Sequence, residues 1–129
     1  ALAGPREIPL EEELSLARRY LEIESLRFGE RLRVEWQLPR DIPHAMVPAL
    51  SIQPLVENAI RHGVERIPHG GRLEISLTTT AKHIVVRITN PLVLSDMQRP
   101  VSHQVGLNAS QMRIEALTGE GARQWLLAR

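Results

Sequence analysis

The segment Ile52 to Gly63, Ile-Gln-Pro-Leu-Val-Glu-Asn-Ala-Ile-Arg-His-Gly, constrains the fold more than any other stretch of this chain. Leu55, Val56, Ala59 and Ile60 recur at helical spacing and form an apolar stripe that another layer must cover. Gln53, Glu57 and Arg61 make one i,i+4 row on the other side, and Asn58 and His62 extend a second row beside it. Gly63 closes the helix as a C-terminal cap. Pro54 removes one backbone hydrogen bond, which implies either a kink or a late helix start. Taken alone, the pattern describes an amphipathic surface helix with Glu57 and Arg61 as a solvated pair contributing a few tenths of a kcal/mol.

The rest of the chain supplies the layers for that helix to pack on. Leu10 to Phe28 reads as a second helix, with Glu11, Glu12 and Glu13 in a first turn whose dipole favours anions. Its stripe is Leu10, Leu14, Ala17 and Leu21, widened by Tyr20 and Ile23, and Gly29 ends it. Leu32, Val34 and Trp36 alternate with polar residues in a half-buried strand closed by Pro39. Leu73, Ile75 and Leu77, then Ile84, Val86 and Ile88, give an antiparallel hairpin around Thr80-Ala81-Lys82. Pro91 to Val105 reads as a loop. A third helix is expected over Leu107 to Leu117, burying Leu107, Met112 or Ile114, and Leu117, with Gly119 as its cap; a last strand follows over Gln124 to Ala128. Helices mixed with hairpin strands predict an α/β fold, a two-layer sandwich.

With 129 residues the chain is long enough for one core, not two. A net charge of +1 gives no electrostatic reason to expect nucleic acid, and scattered arginines are all that favour it. No cysteine is present, so disulfides and thiolate metal sites are excluded. No apolar run approaches the ~20 residues that span a bilayer. The opening, Ala1-Leu-Ala-Gly-Pro-Arg6, lacks an initiator Met and enters structure almost at once, as expected of a domain excised from a longer chain.

Common enzyme templates fail. A Walker phosphate loop needs a lysine after its glycines, and the one lysine, Lys82, sits in a turn. There is no Gly-x-Ser-x-Gly elbow. His44, His62, His69, His83 and His103 lie on separate elements without zinc-ligand spacing, which favours structural or surface roles.

The ordered string Leu55-Val-Glu-Asn-Ala-Ile-Arg-His-Gly63 resembles the N-box of sensor histidine kinases, part of the GHKL superfamily of ATP-binding domains. Leu10-Glu-Glu-Glu-Leu14, Tyr20-Leu-Glu-Ile-Glu24, Leu26-Arg-Phe-Gly29 and Pro48-Ala-Leu-Ser-Ile-Gln-Pro54 are similar to segments of the LytS/AlgZ group. Gly106-Leu107-Asn108-Ala109, with the run Arg113 to Gly119, resembles that group's second glycine box and its helix. The resemblance implies a Bergerat-type ATP-binding fold, a mixed, largely antiparallel sheet with helices on one face. It divides the chain into a leading linker and helix, 1–30, and the ATP-binding unit, 31–129, within a single domain overall.

That resemblance also implies roles. Asn58 would give its amide oxygen to Mg2+ bridging the ATP phosphates, in keeping with magnesium's preference for few, hard protein ligands. Arg61 and His62 would donate toward phosphate oxygens. Glu57 would join Asn58 as a catalytic residue by orienting a metal-bound water, or serve only as the partner of Arg61. Asn90 stands where the family's Asp-x-Gly-x-Gly box has the aspartate that accepts from the adenine amine; it is neutral, and Pro91 and Leu92 replace flexible positions. Gly106, Leu107 and Asn108 complete the nucleotide set, with Gln104 where another glycine is common and Ala109 at the usual asparagine. The bound ATP would lie between the Asn58 helix and a lid over Pro91 to Val105.

The implied function is that of a kinase catalytic domain delivering the γ-phosphoryl group to a histidine on a separate dimerisation domain, and thence to a response regulator. The family's Pro-His-Phe phosphoacceptor context does not occur in this sequence. By the same resemblance the full-length protein is a membrane-anchored homodimer of the inner membrane with this domain in the cytoplasm. The altered box at Asn90-Pro91-Leu92 supports an alternative, a degenerate, non-catalytic interaction module with the same fold.

Overall fold

The computed structural model describes residues 6–93, 105–116 and 125–128. In chain order these form β1 (Glu7–Pro9), α1 (Leu10–Phe28), β2 (Leu32–Gln37), β3 (Met46–Pro48), α2 (Gln53–His62), β4 (Gly71–Thr79), β5 (His83–Val93), β6 (Val105–Ala116) and β7 (Trp125–Ala128), with short 3₁₀ turns at Gly29–Arg31 and Val64–Arg66. A five-stranded sheet runs β2-β4-β5-β6-β7, and β1 pairs with β3 in a separate ribbon. The β2–β4 pair is parallel and the other three pairs are antiparallel. This is the mixed, largely antiparallel sheet expected from sequence.

One face of the sheet is apolar. Leu73, Ile75 and Leu77 from β4, Ile84, Val86 and Ile88 from β5, and Met112 and Ile114 from β6 are all buried. They share one core with Leu10, Leu14, Ala17 and Leu21 of α1 and Val56, Ala59 and Ile60 of α2. Period-2 and period-3.6 stripes thus meet in a single apolar layer. The outer face is polar: Ser76, Arg87 and Gln111 stand side by side across three strands, and Arg87 Nη2 donates to Gln111 Oε1 at 3.2 Å.

The region after Pro91 corrects the sequence reading. Pro91, Leu92 and Val93 continue β5, 94–104 lie outside the described residues, and Val105 begins β6. The helix expected from Leu107 is a strand over its described part, paired with β5 from His83↔Glu115 to Val93↔Val105. The physical reason is period: Met112 and Ile114 are two residues apart, nearly opposite on a helix but on one face of a strand. Gln111 and Glu115 accordingly point outward. Leu107 is exposed, and so is Ile23, which does not join the α1 stripe. Leu117 and Gly119 lie outside the described residues.

Pro54 does not kink α2. The helix begins at Gln53, so the proline sits in the first turn, where its missing N–H is tolerated. Ile52 at the N-cap supplies no side-chain cap. The capping group comes instead from α1: Glu13, fully buried, accepts from the N–H groups of Leu50 (3.0 Å to Oε1), Ile52 (2.8 Å to Oε2) and Gln53 (3.3 Å to Oε2). It also stabilises a turn in which Leu50 adopts a positive φ of 64°, uncommon for a residue with a side chain. The β1–β3 ribbon reinforces the junction, with Leu10 N–H donating to Ala45 at 2.8 Å and Ala49 N–H to Arg6 at 2.7 Å.

Removing this carboxylate leaves three backbone donors without their acceptor. Glu13→Ala is expected to lower unfolding stability by about 3 kcal/mol in urea titrations. Exposed Glu12→Ala should stay within about 0.5 kcal/mol of the parent. Equal effects would show that Glu13 acts only through the α1 dipole.

Candidate functional site

With its apolar stripe on the sheet and its first turn clamped by Glu13, α2 turns Asn58, Arg61 and His62 to the solvent. Glu57 is half-buried, and Gln53 Nε2 donates to its Oε2 at 3.2 Å. The expected Glu57–Arg61 pair is therefore replaced by a pair one turn earlier. The result is a polar helix face holding one fixed carboxylate, one exposed amide and two exposed nitrogen side chains.

The far end of α2 is pinned to the sheet. Gly63 N–H donates to the Ala59 carbonyl at 3.0 Å, yet the φ of Gly63 is −114°, so the position is not a left-handed cap. Glycine is needed there for proximity: a Cβ would collide with Asn90 Nδ2 and lie 2.6 Å from the Ala59 carbonyl oxygen and 2.7 Å from that of Pro91. Asn90 lies beneath this contact, 1% exposed, with its amide nitrogen donating to the Pro91 carbonyl at 2.8 Å. The β4–β5 register ends at Glu74↔Thr89, while β5 continues through Pro91 on β6 alone. The Pro91 ring packs over Gly71, where a Cβ would strike its Cγ.

The residues singled out from sequence fall into two groups that this junction connects. Glu57, Asn58, Arg61 and His62 share α2. Asn90 lies directly opposite Asn108 in the β5–β6 register, Pro91 opposite Leu107 and Leu92 opposite Gly106. At a rise of about 1.5 Å per residue, Asn58 stands roughly 8 Å along the helix axis from Gly63. Both groups thus lie at one end of the sheet.

Two participants were missed. Glu13 occupies the same face as Leu10, Leu14, Ala17 and Leu21; a charge inside an apolar stripe was the available signal. Tyr20 lies where α1 meets α2. Burial, then the carboxylates of Glu24 and Glu57, push its phenol above the ordinary 10.0, while Arg27 and Arg61 pull the other way. Its proximity to Glu57 and Arg61 has no local sequence signature. The loop after Gly63 is fastened by Arg31, whose Nη2 donates to the Ile67 carbonyl at 3.1 Å.

The arrangement suits a phosphate-bearing ligand with a hard cation. Among the described residues no three His, Cys, Asp or Glu side chains converge into a metal cage. Exposed Asn58 offers a single neutral oxygen, the donor set expected for magnesium that keeps its waters and binds chiefly to phosphates. Arg61 and His62 add donors on the same face.

No family model matches the chain. The sensor histidine kinase BtsS of Escherichia coli strain K12 is 33% identical over 100 residues, covering 78% of this chain and 17% of BtsS. The chain thus spans well under a quarter of that relative's length. Among solved structures, the Acinetobacter baumannii histidine kinase AdeS superposes with a TM-score of 0.58 at 14% identity, over 88% of this chain and 68% of that one. The histidine kinase ThkA, in a complex with the response regulator TrrA, gives 0.52 at 12% identity over 72% and 28%. Both share the fold.

Two measurements test the junction. Gly63→Ala should lower stability by about 2 kcal/mol through overpacking against Asn90 and Pro91, read by urea unfolding; a neutral effect would refute the close approach. Tyr20 is the single tyrosine, so tyrosinate absorbance reports it alone. Its midpoint should lie above pH 10.0. Since the folded value exceeds the unfolded one, this stabilisation is complete below pH 10.0 and lost as pH rises through the folded value. Tyr20→Phe should remove that part of the alkaline loss.

Proposed function

This chain belongs to the sensor histidine kinases, and we propose that it is the domain that binds Mg-ATP and supplies the γ-phosphoryl group for transfer to a histidine elsewhere in the full-length protein. The observation that carries this reading is the α2 face, where Asn58, Arg61 and His62 project to solvent while both ends of the helix are fixed, by Glu13 and by the Gly63–Asn90 contact. Such a face is preorganised: its side chains need little reordering when a polyanion arrives.

In this assignment Asn58 Oδ1 would hold magnesium, Arg61 and His62 would donate to phosphate oxygens, and Glu57, which accepts from Gln53, would orient a water of the ion. Gly106, Leu107 and Asn108, across from Asn90 to Leu92, border the nucleotide at the sheet end. Magnesium, when bound, neutralises phosphate charge. The phosphoryl step breaks the bond from the γ-phosphorus to its bridging oxygen and forms one to an imidazole nitrogen of the acceptor, leaving ADP. The acceptor lies on a dimerisation domain, and the phosphohistidine then serves a response regulator, the kind of partner seen with ThkA. No helix among the described residues is long and apolar enough to cross a membrane. From the likeness to sensor kinases we propose, separately, a cytoplasmic domain of a membrane-anchored homodimer.

A second reading is favoured by the burial of Asn90: the fold is kept and the nucleotide lost, leaving a module that docks a partner. Calorimetry separates the two. Mg-ATP should bind this chain, and Asn58→Ala should weaken it by about tenfold, roughly 1.4 kcal/mol, with unchanged far-ultraviolet circular dichroism. Absence of binding at millimolar Mg-ATP, with no autophosphorylation of the full-length protein, would overturn the nucleotide reading and leave the docking module standing.

A further inference from the structure

We infer that the outer face of the sheet holds a second ligand site, for the dianion of phosphate or of a small phosphate monoester, separate from the α2 face and independent of the Mg-ATP reading. Both α1 and α2 pack on the apolar face, so no helix among the described residues covers the other side. There Ser76 and Thr78 of β4, Val85 and Arg87 of β5, and Gln111 and Arg113 of β6 line a cavity of about 350 Å³. The register sets them in two rows, Ser76↔Arg87↔Gln111 and Thr78↔Val85↔Arg113. A volume of this order suits a small ligand.

These rows place Arg87 and Arg113 diagonally across β5 and β6, a spacing of roughly 7 Å. Two like charges thus share one cavity, and none of its lining residues is an acid. The carboxylates of this face are engaged toward its margins. Glu74 accepts from Gln37 Nε2 at 3.1 Å and lies 3.5 Å from Arg72, which also pairs with Glu35 at 3.1 Å. Glu115 lies 3.6 Å from His83. Arg87 gives Nη2 to the neutral amide of Gln111 at 3.2 Å. The guanidinium of half-buried Arg113 has no hydrogen-bond or ion-pair partner among the described residues.

An anion between the two arginines relieves their repulsion, and the donor set says which anion. Each guanidinium presents a planar fork that matches phosphate oxygens. Ser76 and Thr78 add hydroxyl donors. A phosphate monoester brings three acceptor oxygens and a charge near −2 at neutral pH, which balances both arginines. A monocarboxylate, with two oxygens and one charge, leaves one arginine unpaired. Val85, between the two hydroxyl-bearing and arginine positions, offers an apolar contact for the carbon of an ester.

The test is titration of the isotope-labelled chain with inorganic phosphate and with glycerol phosphate, read by amide and guanidinium nuclear magnetic resonance. Ionic strength is held constant, and magnesium and nucleotide are omitted, so neither outcome bears on the Mg-ATP reading. Signals of Ser76, Thr78, Arg87, Gln111 and Arg113 should shift and saturate with a Kd of about 1 mM or below. Tighter binding of glycerol phosphate identifies an ester as the ligand, and tighter binding of inorganic phosphate identifies the free ion; both support the site. Arg87→Gln and Arg113→Gln should each weaken binding at least about tenfold, while Asn58→Ala, on the other side of the sheet, should not change it. If Arg113→Gln does not fold, Arg87→Gln, at an exposed side chain, decides. Shifts that fail to saturate by about 50 mM, or that survive both arginine substitutions, would overturn the site. Succinate saturating the same signals as tightly as phosphate would overturn the phosphate assignment.

Discussion

The carboxylate of Glu13 is the interaction on which the candidate site depends. A buried charge is costly unless its lone pairs are satisfied, and here three backbone N–H groups at the start of α2 satisfy them. The exchange is mutual. A helix that begins with Ile52, Gln53 and Pro54 has no capping side chain of its own, and its first donors would otherwise be buried without partners. One side chain from α1 meets both needs, and it fixes where α2 begins, hence which way Asn58 faces.

The other end of α2 is fixed by a contact of the opposite kind, in which a missing side chain is essential. Gly63 lets the helix terminus come down onto Asn90 and Pro91. Clamped by charge at its start and by close packing at its end, α2 has little freedom to rotate about its axis. A rotation of one residue, about 100°, would turn Ala59 toward solvent in place of Asn58. Rigidity of the helix is thus inseparable from its chemistry: a ligand face made of single exposed side chains works only if the backbone beneath them is immobile.

Much of this was legible in the sequence because it depends on period. The α1 stripe, the β4–β5 hairpin and the polar row of α2 follow from spacing alone, and the N-box string pointed to Asn58 before any geometry was known. What was not legible depends on pairing between distant residues. The segment of β6 reads as a helix from sequence because Leu107, Met112 or Ile114, and Leu117 offer apolar positions for one; only its long edge-to-edge pairing with β5 reveals period 2 at Met112 and Ile114. Gly63 is legible as the C-terminal cap of α2, which it is, but the sequence gives no hint that Asn90, 27 residues later, lies against it. Glu13 looked like one of three dipole-complementing acids, although its place within the stripe set it apart from Glu11 and Glu12.

The same distinction separates the side chains that protrude from α2 from those that hold it. Asn58, Arg61 and His62 protrude from a regular helix, so their placement survives wherever the helix is held. Asn90 sits at a junction of elements, and its exposure depends on how closely those elements pack. Gly63 and Gly71 allow the packing at Asn90 and Pro91 to be very close. The amide nitrogen of Asn90 bonds to the adjacent Pro91 carbonyl beneath Gly63, so this side chain serves the fold where α2 meets β5. Close packing at Asn90 and exposure at Asn58 are thus two consequences of one fixed helix.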